Sequence, residues 1–132
     1  MDIRKLAARA EAMKQSGRYN CCQAVAAALS EQTNMTEEEL CQLASGFCVG
    51  MGNMEATCGA LIGAVMVAGL CTKGVGTVRA ARNISESFKA KCGGAITCKA
   101  LKGMETGKVL CPCNECVRNA VLAWGEVFQS DN

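Results

Sequence analysis

The chain has 132 residues, half of them hydrophobic, and its 14 basic and 12 acidic side chains leave a formal net charge of +2. With no basic run and only five aromatic residues, it lacks the electrostatic footprint of a nucleic-acid or anionic-membrane binder. Eleven cysteines and no histidine exclude Ser-His and Cys-His nucleophiles, His-ligated haem and mixed Cys/His zinc, so a metal would be held mainly by thiolate. The length and apolar content fit one continuous core, hence one cysteine-rich helical domain over residues 1–132.

At the N-terminus, Met1-Asp2-Ile3-Arg4-Lys5 puts charges where a signal peptide needs an apolar stretch, so a cytoplasmic protein is expected. In a reducing compartment so many cysteines point to metal ligands, redox thiols or small buried hydrophobes, and their odd number speaks against a fully paired disulfide framework.

Helical periodicity dominates the chain. Ile3, Leu6, Ala7, Ala10 and Met13 recur at three- and four-residue steps, predicting an amphipathic helix over 2–16 that ends before Gly17. Asn20 is a good N-cap for a second helix burying Cys21, Ala24, Val25 and Ala28. Thr36 and Glu39 form a capping box that opens a third helix carrying Leu40, Leu43 and Ala44. Gly46, Gly50 and Gly52 make the next segment a close-approach loop.

Residues 57–73 are apolar almost all round, which predicts a buried central helix with Gly74 as its C′ residue. Its apolar core, 60–70, is far shorter than the roughly 20 residues a membrane span needs. Gly59 and Gly63 share one of its faces and would admit another backbone or a bound cofactor. A fifth helix over 75–91 should turn Val78, Ala81, Ile84 and Phe88 inward and stop at Gly93-Gly94. A short turn at 97–101 follows, and a last helix runs from Pro112 to Phe128 with Trp124 and Phe128 in its core stripe. The fold class predicted is all-α, a compact bundle of about six to seven helices around helix 57–73.

Five cysteines, Cys92, Cys98, Cys111, Cys113 and Cys116, fall within 25 residues. Cys113 and Cys116 are three apart and share a helix face, near an N-terminus whose free amides and dipole favour the thiolate. That makes them candidates for a catalytic redox pair. Cys22, Cys41 and Cys71, each alone in a helical segment, fit the small-core-residue role of free cysteine. Cys48 and Cys58 lie where backbone amides can face a sulfur, and Met51, Met54 and Met66 offer soft thioethers.

Four ordered blocks, Tyr19-Asn20-Cys21-Cys22-Gln23-Ala24-Val25, Cys58-Gly59-Ala60-Leu61-Ile62-Gly63-Ala64, Thr97-Cys98-Lys99-Ala100-Leu101 and Cys116-Val117-Arg118-Asn119-Ala120-Val121, resemble the C_GCAxxG_C_C family of redox-active proteins from about residue 18 to 125. The resemblance implies a helical fold, a redox role and site cysteines at Cys21, Cys58, Cys98 and Cys116, with Gly59 and Gly63 of the same motif beside them. In this chain glycine follows Cys58, whereas the family label puts glycine before the cysteine.

Three functions are consistent with these residues. One is a redox module, for electron transfer or sensing, that binds an iron-sulfur cluster, with zinc as the alternative metal, through Cys21, Cys58, Cys98 and Cys116. Another is a metal-free thiol-disulfide oxidoreductase using Cys113 and Cys116, or Cys98 and Cys116. The third is a helical interaction protein with structural cysteines. A redox role calls for a redox partner protein, and glycine-faced helices would let the chain pair as a homodimer.

Overall fold

The computed structural model describes residues 2–129. Seven α-helices follow one another: α1 (Ile3–Gln15), α2 (Cys21–Ala28), α3 (Glu37–Ala44), α4 (Gly59–Thr72), α5 (Thr77–Lys91), α6 (Cys98–Leu101) and α7 (Cys113–Phe128), with a 3-10 turn at Ser30–Gln32. Among the described residues there is no strand, and a lone antiparallel bridge joins Thr57 to Thr97. No helix there is long and apolar enough to cross a membrane.

Local signals set most boundaries. Asn20 with Gln23 and Thr36 with Glu39 both close as capping boxes, each satisfying amides that a helix start leaves without partners. Asp2 accepts from the amides of Arg4 and Lys5 at the start of α1. The end of α4 differs from expectation by one position. Lys73 takes the left-handed conformation at φ 55°, and the Gly74 amide reaches back to the Gly69 carbonyl at 3.1 Å, so Gly74 falls one place beyond the C′ position predicted for it.

Helix α4 packs against α2, α5 and α7, and α1 lies along α7. The core they enclose is built of small residues around Leu29, Leu40, Ile84, Phe88, Leu101 and Trp124. Small residues let the helices come close. A Cβ at Gly63 would lie 2.9 Å from the Cys22 carbonyl oxygen, one at Gly59 would strike the Phe47 carbonyl, and one at Gly125 would strike Ile3. The close approach these glycines permit is therefore made within the chain. On the far side of α4, Ile62, Val65 and Met66 are half-buried along an apolar groove of about 350 Å³ shared with Ala81 of α5.

Two expected core positions are corrected. Val78 is 85% exposed, because α5 starts at Thr77 and buries the stripe Ala80, Ile84 and Phe88. Six residues before Ile84, Val78 is turned about 120° away from that stripe at 100° per residue. Leu43 is 52% exposed: α3 packs chiefly on α2, and one neighbour covers only the strip holding Leu40 and Ala44.

Candidate functional site: a two-part cysteine cluster

The chain carries most of its cysteines to one end of α4 and α7. Cys92 ends α5, Cys111 precedes Pro112, and Cys116 lies on the second turn of α7. Their three sulfurs are buried and all lie within 4.8 Å of one another. Bonds from the Leu110 and Cys111 amides to the Leu101 carbonyl, at 3.0 and 3.3 Å, tie the segment before α7 to the end of α6.

Around this triad the neighbouring polar groups point donors at sulfur. Asn119, one turn along α7 from Cys116 and buried, donates through Nδ2 to Cys92 Sγ at 3.4 Å and to Cys111 Sγ at 3.7 Å. It also donates to the Lys91 carbonyl at 3.3 Å. Lys102 Nζ donates to the Cys111 carbonyl at 3.2 Å and to Cys116 Sγ at 3.8 Å. A buried amide and a half-buried ammonium are costly without partners. Here both are satisfied partly by sulfur, and the Asn119 bond helps to hold the Cys92 thiol below its ordinary range.

Next to the triad lies a cavity of about 210 Å³ walled by Cys21, Cys48, Cys58, Cys98 and Cys113, with Met54, Lys14 and Lys102 at its sides. The Thr57–Thr97 bridge explains why Cys58 and Cys98 meet. The Cys58 amide bonds the Ile96 carbonyl at 2.7 Å and the Cys98 amide bonds the Ala56 carbonyl at 3.1 Å. The two cysteines are thus registered side by side as their chains enter α4 and α6. Between Phe47 and Cys58 the glycine-rich segment folds over the cavity, with Val49, Met51 and Met54 at positive φ. A side chain at Gly50 would be crowded as well as left-handed, since φ is +57° and a Cβ there would lie 3.0 Å from that of Cys98. Met54 Sδ sits 3.7 Å from Cys98 Sγ.

Neighbouring thiols are shifted in opposite directions. Cys21, directed at Cys113, holds the Cys113 thiol well below the usual range, and Lys102 adds to the effect against the cost of burial. Cys21 is pushed up correspondingly, by that same bond and by burial. Cys116 is pushed up by its contacts with Cys58 and Cys92 and by burial. Cys58 is lowered in turn, first by Cys116 and further by the Ala60 and Leu61 amides at the start of α4. Cys92 is lowered by Cys116, Asn119 and Cys111. Burial lowers the Lys102 pKa, but the sulfurs of Cys116 and Cys113 outweigh it and hold that pKa above the ordinary value.

Of the expected site residues, Cys21, Cys58 and Cys98 face this cavity. Cys116 stands behind it, in contact with Cys58 and grouped with Cys92 and Cys111. Cys113 and Cys116 are divided between the two parts, with Cys113 on the cavity wall and Cys116 fully buried. Gly59 touches the cavity, whereas Gly63 is filled by α2. Cys22, buried beside Met66 Sδ at 3.7 Å, has its thiol pushed up to about 12, chiefly by burial. Sequence reading did not find Lys14, Lys102 or Asn119. Asn119 had a signal, because it lies one helical turn after Cys116 within a family block. Lys102 and Lys14 had none.

Fold and site together define a helical protein organised around clustered, largely buried thiols, and the sequence places it more closely. A family model described as "Putative redox-active protein (C_GCAxxG_C_C)" matches residues 19–127. The chain belongs to that family. No curated protein and no solved structure matches it.

Proposed function

We propose that this chain is a redox protein that binds a thiophilic metal through Cys92, Cys111 and Cys116, with Cys58 as the fourth sulfur. The observation that carries the reading is the buried triad, three sulfurs within 4.8 Å of one another, with Asn119 and Lys102 aiming donors at them. Tetrahedral thiolate at a metal–sulfur distance of about 2.3 Å puts sulfurs about 3.8 Å apart, so a small inward movement would close the triad on one ion. Cys58 touches Cys116 from the cavity side but lies outside the 4.8 Å group, so it would have to move in with Cys116 to serve as the fourth ligand. Outer-shell donors such as Asn119 and Lys102 orient ligands and temper their charge.

Iron supplies one-electron chemistry in such a set, whereas zinc would support structure alone. The family's redox description favours iron. An iron-sulfur cluster of the kind expected from the sequence would draw on cavity cysteines as well, and acid-labile sulfide reports it. A redox partner protein would exchange electrons at the cavity end, where Cys48 and Cys113 are half-exposed.

The test is purification without oxygen, followed by absorption spectroscopy and assays of iron, zinc and sulfide. Bound metal in proportion to protein, lost from a Cys92→Ser, Cys111→Ser variant and kept in Cys41→Ser, supports the reading. A metal-free protein that takes up neither iron nor zinc after reduction overturns it.

A further inference from the structure

The metal reading leaves Cys21, Cys48, Cys98 and Cys113 of the cavity wall unused, and of these Cys21 and Cys113 touch each other. Cys113 is the first residue of α7 and Cys21 the first of α2. Both stand on the cavity wall, and the Cys21 thiol is directed at the Cys113 sulfur. Cys113 is only half-buried, so a small molecule can reach it, while Cys21 lies behind it, largely covered.

Cavity charge is one-sided. Lys14 and Lys102 are the charged residues on its wall, and no carboxylate joins them. Lys102 is engaged with the sulfurs and with the Cys111 carbonyl. Lys14, in the last turn of α1, is the cation left facing an entering molecule. A space of about 210 Å³ admits part of a small ligand and excludes a folded protein surface.

We propose that Cys21 and Cys113 form a second redox site, a dithiol that reduces small disulfides bearing carboxylates. The Cys113 sulfur, as thiolate, attacks one sulfur of the substrate RSSR, forming a mixed disulfide and releasing the other half as RS⁻. The Cys21 sulfur, its proton given up to solvent, then attacks Cys113 Sγ and displaces the second RS⁻. The two thiolates leave as RSH, carrying in sum the two protons the cysteines lost. The substrate disulfide gains two electrons and the dithiol becomes the Cys21–Cys113 disulfide. This pairing differs from the Cys113–Cys116 and Cys98–Cys116 pairs expected from the sequence.

The experiment treats full-length protein of measured metal content with oxidised glutathione, which is anionic, or cystamine, which is cationic, and maps linkages in unreduced peptides by mass spectrometry. A Cys21–Cys113 linkage is expected, formed several-fold faster with oxidised glutathione than with cystamine. That preference should shrink in Lys14→Gln. Cys21→Ser should accumulate a lasting glutathione adduct on Cys113, and Cys113→Ser should leave Cys21 unmodified over the same interval. A dominant linkage elsewhere, or no adduct on Cys113 in the Cys21→Ser protein, would overturn the dithiol, and equal rates for the two probes would overturn the anionic substrate. Metal analysis separates this proposal from the preceding one. Exchange in a protein that takes up neither iron nor zinc after reduction would sink only the metal reading, and metal bound without exchange would sink only the dithiol.

Discussion

Cys113 and Cys116 illustrate how one helical turn separates two chemistries. Cys113 opens α7 facing a cavity, with Cys21 and Lys102 holding its thiol down, whereas Cys116 is fully buried with its thiol pushed up by Cys58 and Cys92. In the reduced, metal-free protein, iodoacetamide should therefore label Cys113 first and Cys116 last, with Cys41 and Cys71 between. Only the thiolate reacts, so labelling of an ordinary thiol falls about tenfold per pH unit below its pKa of about 8.5. Because the pKa of Cys113 is depressed, its labelling should stay nearly level from pH 8 to 7 while that of Cys41 drops. A parallel fall at both sites would show that Cys113 is an ordinary thiol. Lys102 is part of the cause. Lys102→Met should slow Cys113 labelling at neutral pH several-fold, and Lys102→Arg, which keeps the charge, should restore most of it.

Among the helices, α4 makes the sharpest demand on side-chain size. A Cβ at Gly63 would press on the Cys22 carbonyl and on Val25, and backbone cannot swing aside as a flexible side chain can. Gly63→Leu should lower the melting temperature, with overpacking costing about 1 to 3 kcal/mol against a helix-propensity gain of less than about 1 kcal/mol. A variant that melts higher would show that α2 yields at this point. At the other end of α4 the sign reverses. Lys73 is exposed and left-handed at φ 55°, a conformation costing an L-residue about 1 to 2 kcal/mol, so Lys73→Gly should raise the melting temperature by a few degrees. The helix starts were legible because caps act over three or four residues, as Asn20 and Thr36 do. Val78 was misplaced because facing depends on where a helix begins and which neighbours cover it, and neither is local.

Taken whole, the molecule gathers its sulfurs by means that sequence spacing does not record. The cysteines are densest between Cys92 and Cys116, and the family blocks named Cys21, Cys58, Cys98 and Cys116, of which the first three share a cavity wall while Cys116 stands behind it in the triad. Their arrangement depended on a two-residue bridge beside Thr57 and Thr97 and on the packing of α1 and α2 against α7. Separation into a buried triad and a set of cysteines on a cavity wall, with Lys102 touching Cys116 of the first and Cys113 of the second, is a tertiary property. Asn119 and Lys102 gain their roles only from that placement, since an amide or ammonium elsewhere on the surface would face water.

The buried triad as a metal centre is tested most directly by X-ray absorption at the edge of the metal bound after anaerobic purification. A shell of sulfur at about 2.3 Å, with no resolvable nitrogen or oxygen contribution, is the result predicted, and the sulfur number should fall in Cys116→Ser while remaining unchanged in Cys71→Ser. A shell dominated by light atoms, or a sulfur shell unaltered by Cys116→Ser, would contradict it.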